Sequence, residues 1–250
     1  MIYLKEFATA QDYDAAKSGL IAPNVSYIVD GTKVEYMKEE PTPPTPTHEY
    51  VDLGLPSGTK WATMNVGANS VTDYGLYFQW GDSQGYEYNS REWEEYTYKW
   101  YDSNEMKYTK YNHTDGKRVL DDADDAAIAA WGNGWHIPTK TQLTELINNE
   151  YVTTAFTENY LNSGVDGLLI TSKTNGNSIF LPYGTEIGTE YNRAVYHSNE
   201  TFGQYPLDSS YELYCGLYSE SNYGAHIIDE NSIGELRRWY GESIRPVKDA

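Results

Sequence analysis

The chain has a single cysteine, Cys215, so no disulfide within one copy can staple it. No motif surrounds Cys215, which reads as a small core residue and not as a nucleophile. Phenylalanine is scarce, at 5 residues. Basic residues are outnumbered: 18 Lys and Arg stand against 37 Asp and Glu, for a formal net charge of −19. Such a surface repels phosphate backbones and anionic lipid, so nucleic acid is not an expected partner. No apolar run is long enough to cross a bilayer, and membrane insertion is not expected. Met1 to Phe7 carries neither a basic n-region nor an apolar h-region. The expectation is a chain made in a cytoplasm that reaches the outside by lysis or within a particle.

What the chain has is tyrosine. There are 25 Tyr and 7 Trp, many of them in polar stretches without apolar periodicity. Tyr offers a large flat face and a polar tip at low entropic cost, which suits contact surfaces. For the tyrosines of the tail 211–240 the alternative is that they pack between strands, which is expected of about half of them.

Composition divides the chain into three parts. Residues 1–38 read as a small unit, with a helix from Phe7 to Lys17 and a hairpin. The hairpin runs Val25 to Val29 and Lys33 to Met37 around Asp30-Gly31, a type I′ turn signal. A helix and one hairpin cannot bury an adequate core alone. The unit is expected to anchor the chain on copies of itself, a trimer being favoured, or on a larger body; the other reading is an edge extension of the main domain. Residues 39–47 carry Pro41, Pro43, Pro44 and Pro46 among threonines; an extended spacer is the simpler reading, a partner ligand or a glycosylation stalk the others. The head occupies 48–250.

In the head, strands are expected at Tyr50–Leu53, Lys60–Val66 and Leu76–Trp80. Residues 82–118 read as a long surface insertion. A helix is expected from Asp121 to Ala130, and a second after the capping box Thr139 to Gln142. Leu168–Ser172 and Ser178–Leu181 flank Asn175-Gly176 as a hairpin. Residues 182–210 lack regular signals and read as a second long loop. Short strands follow at 213–218, 225–228 and 243–247. Helices early and strands late give an α+β domain.

No chemistry-bearing constellation stands out. Asp121, Asp122, Asp124 and Asp125 suggest a cation site, but on a helix start they point several ways. Helix capping is the preferred role, and no metal or cofactor is expected. His48, His113, His136, His197 and His226 have no zinc-like spacing, and no nucleophile elbow occurs. Paired carboxylates for glycoside hydrolysis carry no positive signal in so acidic a chain.

Three stretches form an ordered pattern: Glu49 to Ala68, Trp131-Gly-Asn-Gly-Trp-His-Ile-Pro-Thr139, and Tyr240-Gly-Glu-Ser-Ile-Arg-Pro-Val247. Together they resemble the Fibrobacter succinogenes-type major paralogous domain of gut Bacteroidetes and their phages. That resemblance implies a C-type lectin-like fold, related to formylglycine-generating enzymes and to the variable proteins of diversity-generating retroelements. It places Trp61, Trp80 and Trp135 in the core and Arg245 in hydrogen bonds beneath the last strand. His136 stands where the family usually has Arg. The calcium-dependent sugar motifs of lectins are absent, and one cysteine cannot supply the reactive pair of the enzymes.

In the variable proteins the C-terminal part of this fold displays the ligand surface. The resemblance therefore implies binding through Tyr211, Tyr214, Tyr218, Tyr223 and Trp239, with Tyr191 and Tyr196 beside them. The family's usual Tyr-Trp-Ser-Ser is replaced here by Leu213 to Gly216. The expected function is a non-enzymatic display protein of a phage virion, a fibre or decoration protein. Its head recognises a host-surface glycan or protein, and its N-terminal segment meets other virion proteins. A bacterial surface or secreted adhesion domain is the alternative, and a carbohydrate-active enzyme a more distant one.

Overall fold

The computed structural model describes residues 4–7, 9, 11–12, 26–29, 32–35, 48–87, 90–183, 193–202, 209–219, 222–228 and 237–250. The chain divides into two compact units, Met1–Thr47 and His48–Ala250. The proline spacer lies outside the described residues.

The first unit holds one sheet of three strands, β1 (Leu4–Phe7), β2 (Ser26–Val29) and β3 (Thr32–Glu35), in the order β1-β2-β3. Strands β2 and β3 are antiparallel with Val29 opposite Thr32, so only Asp30 and Gly31 separate them, as the hairpin signal predicts. Strand β1 runs parallel to β2, with Leu4 opposite Ser26. Phe7 therefore ends a strand and does not start the predicted helix. Four residues carry too little periodicity to announce a strand whose partner lies far along the chain. Helical turn begins instead after Thr9, whose hydroxyl accepts the Asp12 N–H at 3.1 Å. The rest of the expected helix, past Asp12, lies outside the described residues.

The head is α+β and is built from small sheets. Its elements are β4 (Tyr50–Asp52), β5 (Lys60–Ala62), β6 (Tyr77–Phe78), β7 (Tyr101–Asp102), β8 (Lys107–Tyr108), α1 (Ala126–Trp131) and α2 (Lys140–Leu146). There follow β9 (Val152–Thr157), β10 (Gly167–Ser172), β11 (Ser178–Pro182), β12 (Arg193–Phe202), β13 (Ser209–Ser219), β14 (Asn222–Ile228), β15 (Glu242–Ser243) and β16 (Val247–Lys248). The sheet orders are β16-β5-β4, β14-β13-β12-β15-β6, β11-β10-β9 and β7-β8. Helix α2 starts at the expected capping box: Thr139 Oγ1 accepts Gln142 N–H at 3.1 Å, and Gln142 Oε1 accepts Thr139 N–H at 2.9 Å. Its Leu143 and Leu146 are buried in the core with Trp61, Leu168, Ile170 and Leu213.

The three ordered stretches of sequence converge on Val247. It lies opposite Trp61 in the β5–β16 ladder, and it exchanges two backbone hydrogen bonds of 2.9 Å with His136. Trp61, Trp80 and Trp135 are 0%, 1% and 8% exposed, as expected of core residues. Arg245, also buried, donates to Asn65 Oδ1 at 2.8 Å, to the Ala62 and Thr63 carbonyls at 3.1 Å each, and to the Phe180 carbonyl at 3.0 Å. A fixed fork of donors suits this cluster of acceptors better than an ammonium.

Three expectations need correction. The predicted loop at 182–210 contains β12, which pairs with both β13 and β15. His197 and Ser198 are both fully buried, so alternation is lost where both faces of the strand are covered. Residues 82–118 are not only a surface insertion: Trp93, Tyr98, Tyr108 and Tyr111 are buried, and Tyr111 shares a core with Trp80, Leu120 and Ile137. The helix expected from Asp121 is broken at Asp125. Its carboxylate caps α1 through the Ala127 N–H at 2.8 Å and also takes the Ile137 N–H at 2.8 Å.

Candidate ligand-binding site

The five-stranded sheet sets the base of the site. His197 on β12 lies opposite Glu212 on β13, both without solvent exposure, with Nδ1 3.3 Å from Oε1. His197 Nε2 is 2.9 Å from the Phe78 carbonyl and so carries its hydrogen toward it. Trp80 Nε1 donates to the Ser198 carbonyl at 2.8 Å. These contacts tie β12 to the β6 region through side chains.

On this base Val195 is buried, and the half-buried Tyr211, Tyr214 and Tyr240 pack around it. Trp239 lies 4.2 Å from Tyr240, the planes tilted by 50°. Lys140 Nζ sits 4.0 Å from the centre of the Tyr211 ring, a cation–π contact.

The insertion extends the row of rings. Gln79 Nε2 donates to the Trp239 carbonyl at 2.9 Å. Trp93 packs on Gly241 so closely that an added Cβ would stand 2.3 Å from its ring. Tyr86 meets Trp93 edge-on at 5.8 Å. Arg91 spans both rings, 4.4 Å from Tyr86 and 5.0 Å from Trp93, and its Nη2 donates to the Thr97 carbonyl at 3.1 Å. The rings thus run from half-buried Tyr86, through the buried Trp93 that packs on Gly241, to half-buried Tyr240, Trp239 and Tyr214.

Arg238, which precedes Trp239 in the chain, packs on Trp80 and on rings of the insertion. It is fully buried, 4.3 Å from the Tyr108 ring, 5.5 Å from Trp80 and 5.7 Å from Tyr98. Its Nη1 donates to the Tyr111 carbonyl at 3.1 Å, and its own carbonyl accepts the Trp80 N–H at 2.9 Å. Burial pushes the Tyr98 and Tyr108 phenols well above their ordinary range, and both stay neutral donors. Tyr98 donates to the Trp80 carbonyl at 2.7 Å.

The structure brings together three of the sequence-predicted residues: Tyr211, Tyr214 and Trp239. It removes Tyr196, which is 1% exposed and donates to the Pro182 carbonyl at 3.3 Å inside the main core. Its neighbour Val195 takes the other side of β12, toward Tyr214. Tyr218 and Tyr223 belong to β13 and β14, but their side chains lie outside the described residues, as does Tyr191. Sequence reasoning missed Arg91 and Tyr240 in the row, and the buried Trp93 and Arg238. Tyr240 was within reach, since it opens the third ordered stretch.

The acidic segment is used for structure. Asp124 accepts the Tyr111 hydroxyl at 2.6 Å and pairs with Lys110, while Asp121 holds Lys110 at 2.8 Å and Lys117 at 2.6 Å. Burial opposes the charge on Asp124, but hydrogen bonds from Lys110 and Tyr111 hold its pKa below the usual carboxylate value. No family model matches the chain, and neither the curated proteins nor the solved structures contain a match.

Proposed function

We propose that residues 48–250 form a C-type lectin-like head of the major paralogous type that binds a ligand without catalysis. The observation that carries this reading is the group of half-exposed rings Tyr211, Tyr214, Trp239 and Tyr240, with half-exposed Tyr86 joined to them through the buried Trp93. Aromatic faces stack on sugar rings or pack on protein epitopes, and phenol hydroxyls add hydrogen bonds. The convergence of the three family-like stretches on Val247 supports the fold assignment.

In this reading the chain is a virion protein of a phage of gut Bacteroidetes, a fibre or decoration protein. The head recognises a host-surface glycan or protein, and residues 1–38 join the head to other virion proteins as a homo-oligomer, most simply a trimer. The test is binding of the labelled full chain to a panel of gut Bacteroidetes cells and to a glycan array. Tyr214→Ala with Trp239→Ala weakens attachment and leaves the melting temperature nearly unchanged, and chelator leaves binding intact. Unchanged binding in the double variant moves the site elsewhere, and loss of binding in chelator contradicts a metal-free site. Antibody labelling of particles under the electron microscope tests the virion assignment, and light scattering tests the trimer.

A further inference from the structure

Apart from the aromatic row, the insertion encloses a groove of about 1180 Å³. Its walls come from Glu95, from Tyr101 and Asp102 on β7, from the β7–β8 turn, and from the loop 112–115. None of the residues of the aromatic row lines it, so a site here stands or falls independently of the reading above.

The walls are fixed by their own hydrogen bonds. Asp115 accepts the backbone N–H groups of Tyr111 at 2.7 Å, Asn112 at 2.9 Å and Lys117 at 3.0 Å. Asn112 Nδ2 donates to the Tyr108 carbonyl at 2.7 Å. Tyr108 donates its hydroxyl to Glu95 Oε1 at 2.9 Å, and Tyr101 meets the Tyr108 ring edge-on at 5.5 Å. The groove is therefore preorganised, and a ligand need not order it.

Its charge is one-sided. Glu95, Asp102, Glu105 and Asp115 line it against Lys107, and Lys107 is already paired with Glu105. Lys60, Lys99, Lys110 and Lys117 are engaged by Asp52, Asp82, Asp121 and Asp124. Among the described residues no lysine or arginine comes within ion-pair distance of Glu95 or Asp102. Beside these carboxylates stand the half-exposed Tyr101 ring and Met106, which is 78% exposed on the rim. A thioether and a ring face suit an alkyl stem, and carboxylates suit a cationic head.

We propose that this groove docks a lysine-bearing segment of a partner protein, its stem along Tyr101 and Met106 and its ammonium between Glu95 and Asp102. The chain's net charge of −19 steers such a partner toward the head. Glu95 accepts the Tyr108 hydroxyl and Asp102 the Asn104 N–H at 2.9 Å, but among the described residues neither has a cationic partner, so an anionic ligand would meet like charge and a neutral one would leave that charge unbalanced.

The test uses the full chain and blocked pentalysine as the probe, followed by calorimetry at low and physiological salt. Saturable binding of one peptide per head is expected, and blocked pentaserine does not bind. Glu95→Gln with Asp102→Asn weakens binding by at least about tenfold, the scale of losing a close charge pair. Glu87→Gln with Glu158→Gln, exposed carboxylates outside the groove, leaves it within about twofold on the same scale. Equal weakening in both variants means diffuse attraction and overturns the proposal, as does the absence of saturation. Spermidine binding as tightly as pentalysine assigns the groove to small polyamines and overturns the protein partner. Should the groove variant lose its near-ultraviolet dichroism, hydrogen exchange of the unmodified chain decides. Pentalysine then slows exchange across residues 101–109, and unchanged exchange there overturns the proposal.

Discussion

The Arg238 guanidinium lies 4.3 Å from the centre of the Tyr108 ring, while the hydroxyl of that tyrosine donates to Glu95 at 2.9 Å. One ring therefore has a buried cation against its face and a carboxylate at its tip. The hydrogen bond to the carboxylate enriches the phenol and strengthens the ring's hold on the guanidinium.

Tyr108→Phe keeps the ring and removes the link to Glu95, which costs about 1 kcal/mol. Tyr108→Ala uncovers Arg238 and opens a cavity, which costs about 3–5 kcal/mol. Urea titration of both variants checks the order. Equal losses would mean that the hydroxyl, and not the ring, supports Arg238.

Gly241→Ala places a methyl 2.3 Å from the Trp93 ring, so ring or strand must move. The expected cost is about 1–3 kcal/mol, typical of overpacking. Trp93→Leu removes the obstacle, so adding Gly241→Ala to that variant costs much less. A double-mutant cycle measures this coupling, and additive losses would place the strain elsewhere.

Arg245→Lys keeps the charge and loses the fork that serves Asn65 and the carbonyls of Ala62, Thr63 and Phe180. An ammonium cannot reach all of them, and buried acceptors are left unpaired. The expected loss is about 3–5 kcal/mol, as for a broken buried charge network. Chemical unfolding at neutral pH measures it, and a loss below about 1 kcal/mol would contradict the role assigned to the fork.

One hydrogen bond shapes both ends of the pH profile. Asp124 accepts the Tyr111 hydroxyl at 2.6 Å. The folded pKa of Asp124 is lowered from 3.8, so its stabilisation is present above that value and is lost as pH falls through the folded value. Burial and the bond to Asp124 push the Tyr111 phenol from 10.0 up to about 12. A raised folded pKa contributes stability below the unfolded value, and that contribution is lost as pH rises from 10.0 to about 12. Asp124→Asn therefore flattens the acid side of the unfolding profile, and Tyr111→Phe the alkaline side. Denaturant midpoints across pH check both, and profiles parallel to the parent's would contradict them.

Local signals were readable where they act locally. Thr139 and Gln142 announce their capping box, and Asp30-Gly31 and Asn175-Gly176 their hairpins, because the turn chemistry is contained in a few residues. Trp61, Trp135 and Arg245 were readable as core through the ordered stretches that hold them. Strand β12 was not, because His197 and Ser198 are buried by neighbours from distant sequence. The aromatic row was half legible. Tyr211 and Tyr214 stand in a tyrosine-rich tail, but Trp93 joins them only because Gly241 has no side chain to keep it away. Tyr196 resembles those tyrosines in composition and differs only in the side of the strand on which it falls.

Strands β4 and β16 lie on either side of β5, and Lys248 Nζ stands 5.2 Å from the Tyr50 ring. The head therefore begins and finishes at the same sheet. His48 stacks on Trp131 at 3.8 Å, just before β4 starts. Tension arriving along the preceding chain meets that stack first, and then the three-residue ladder of β4 with β5. The entry strand is thus held by a ladder of three residue pairs, whereas Tyr211 and Tyr214 stand on the 11-residue β13, which is paired on both sides.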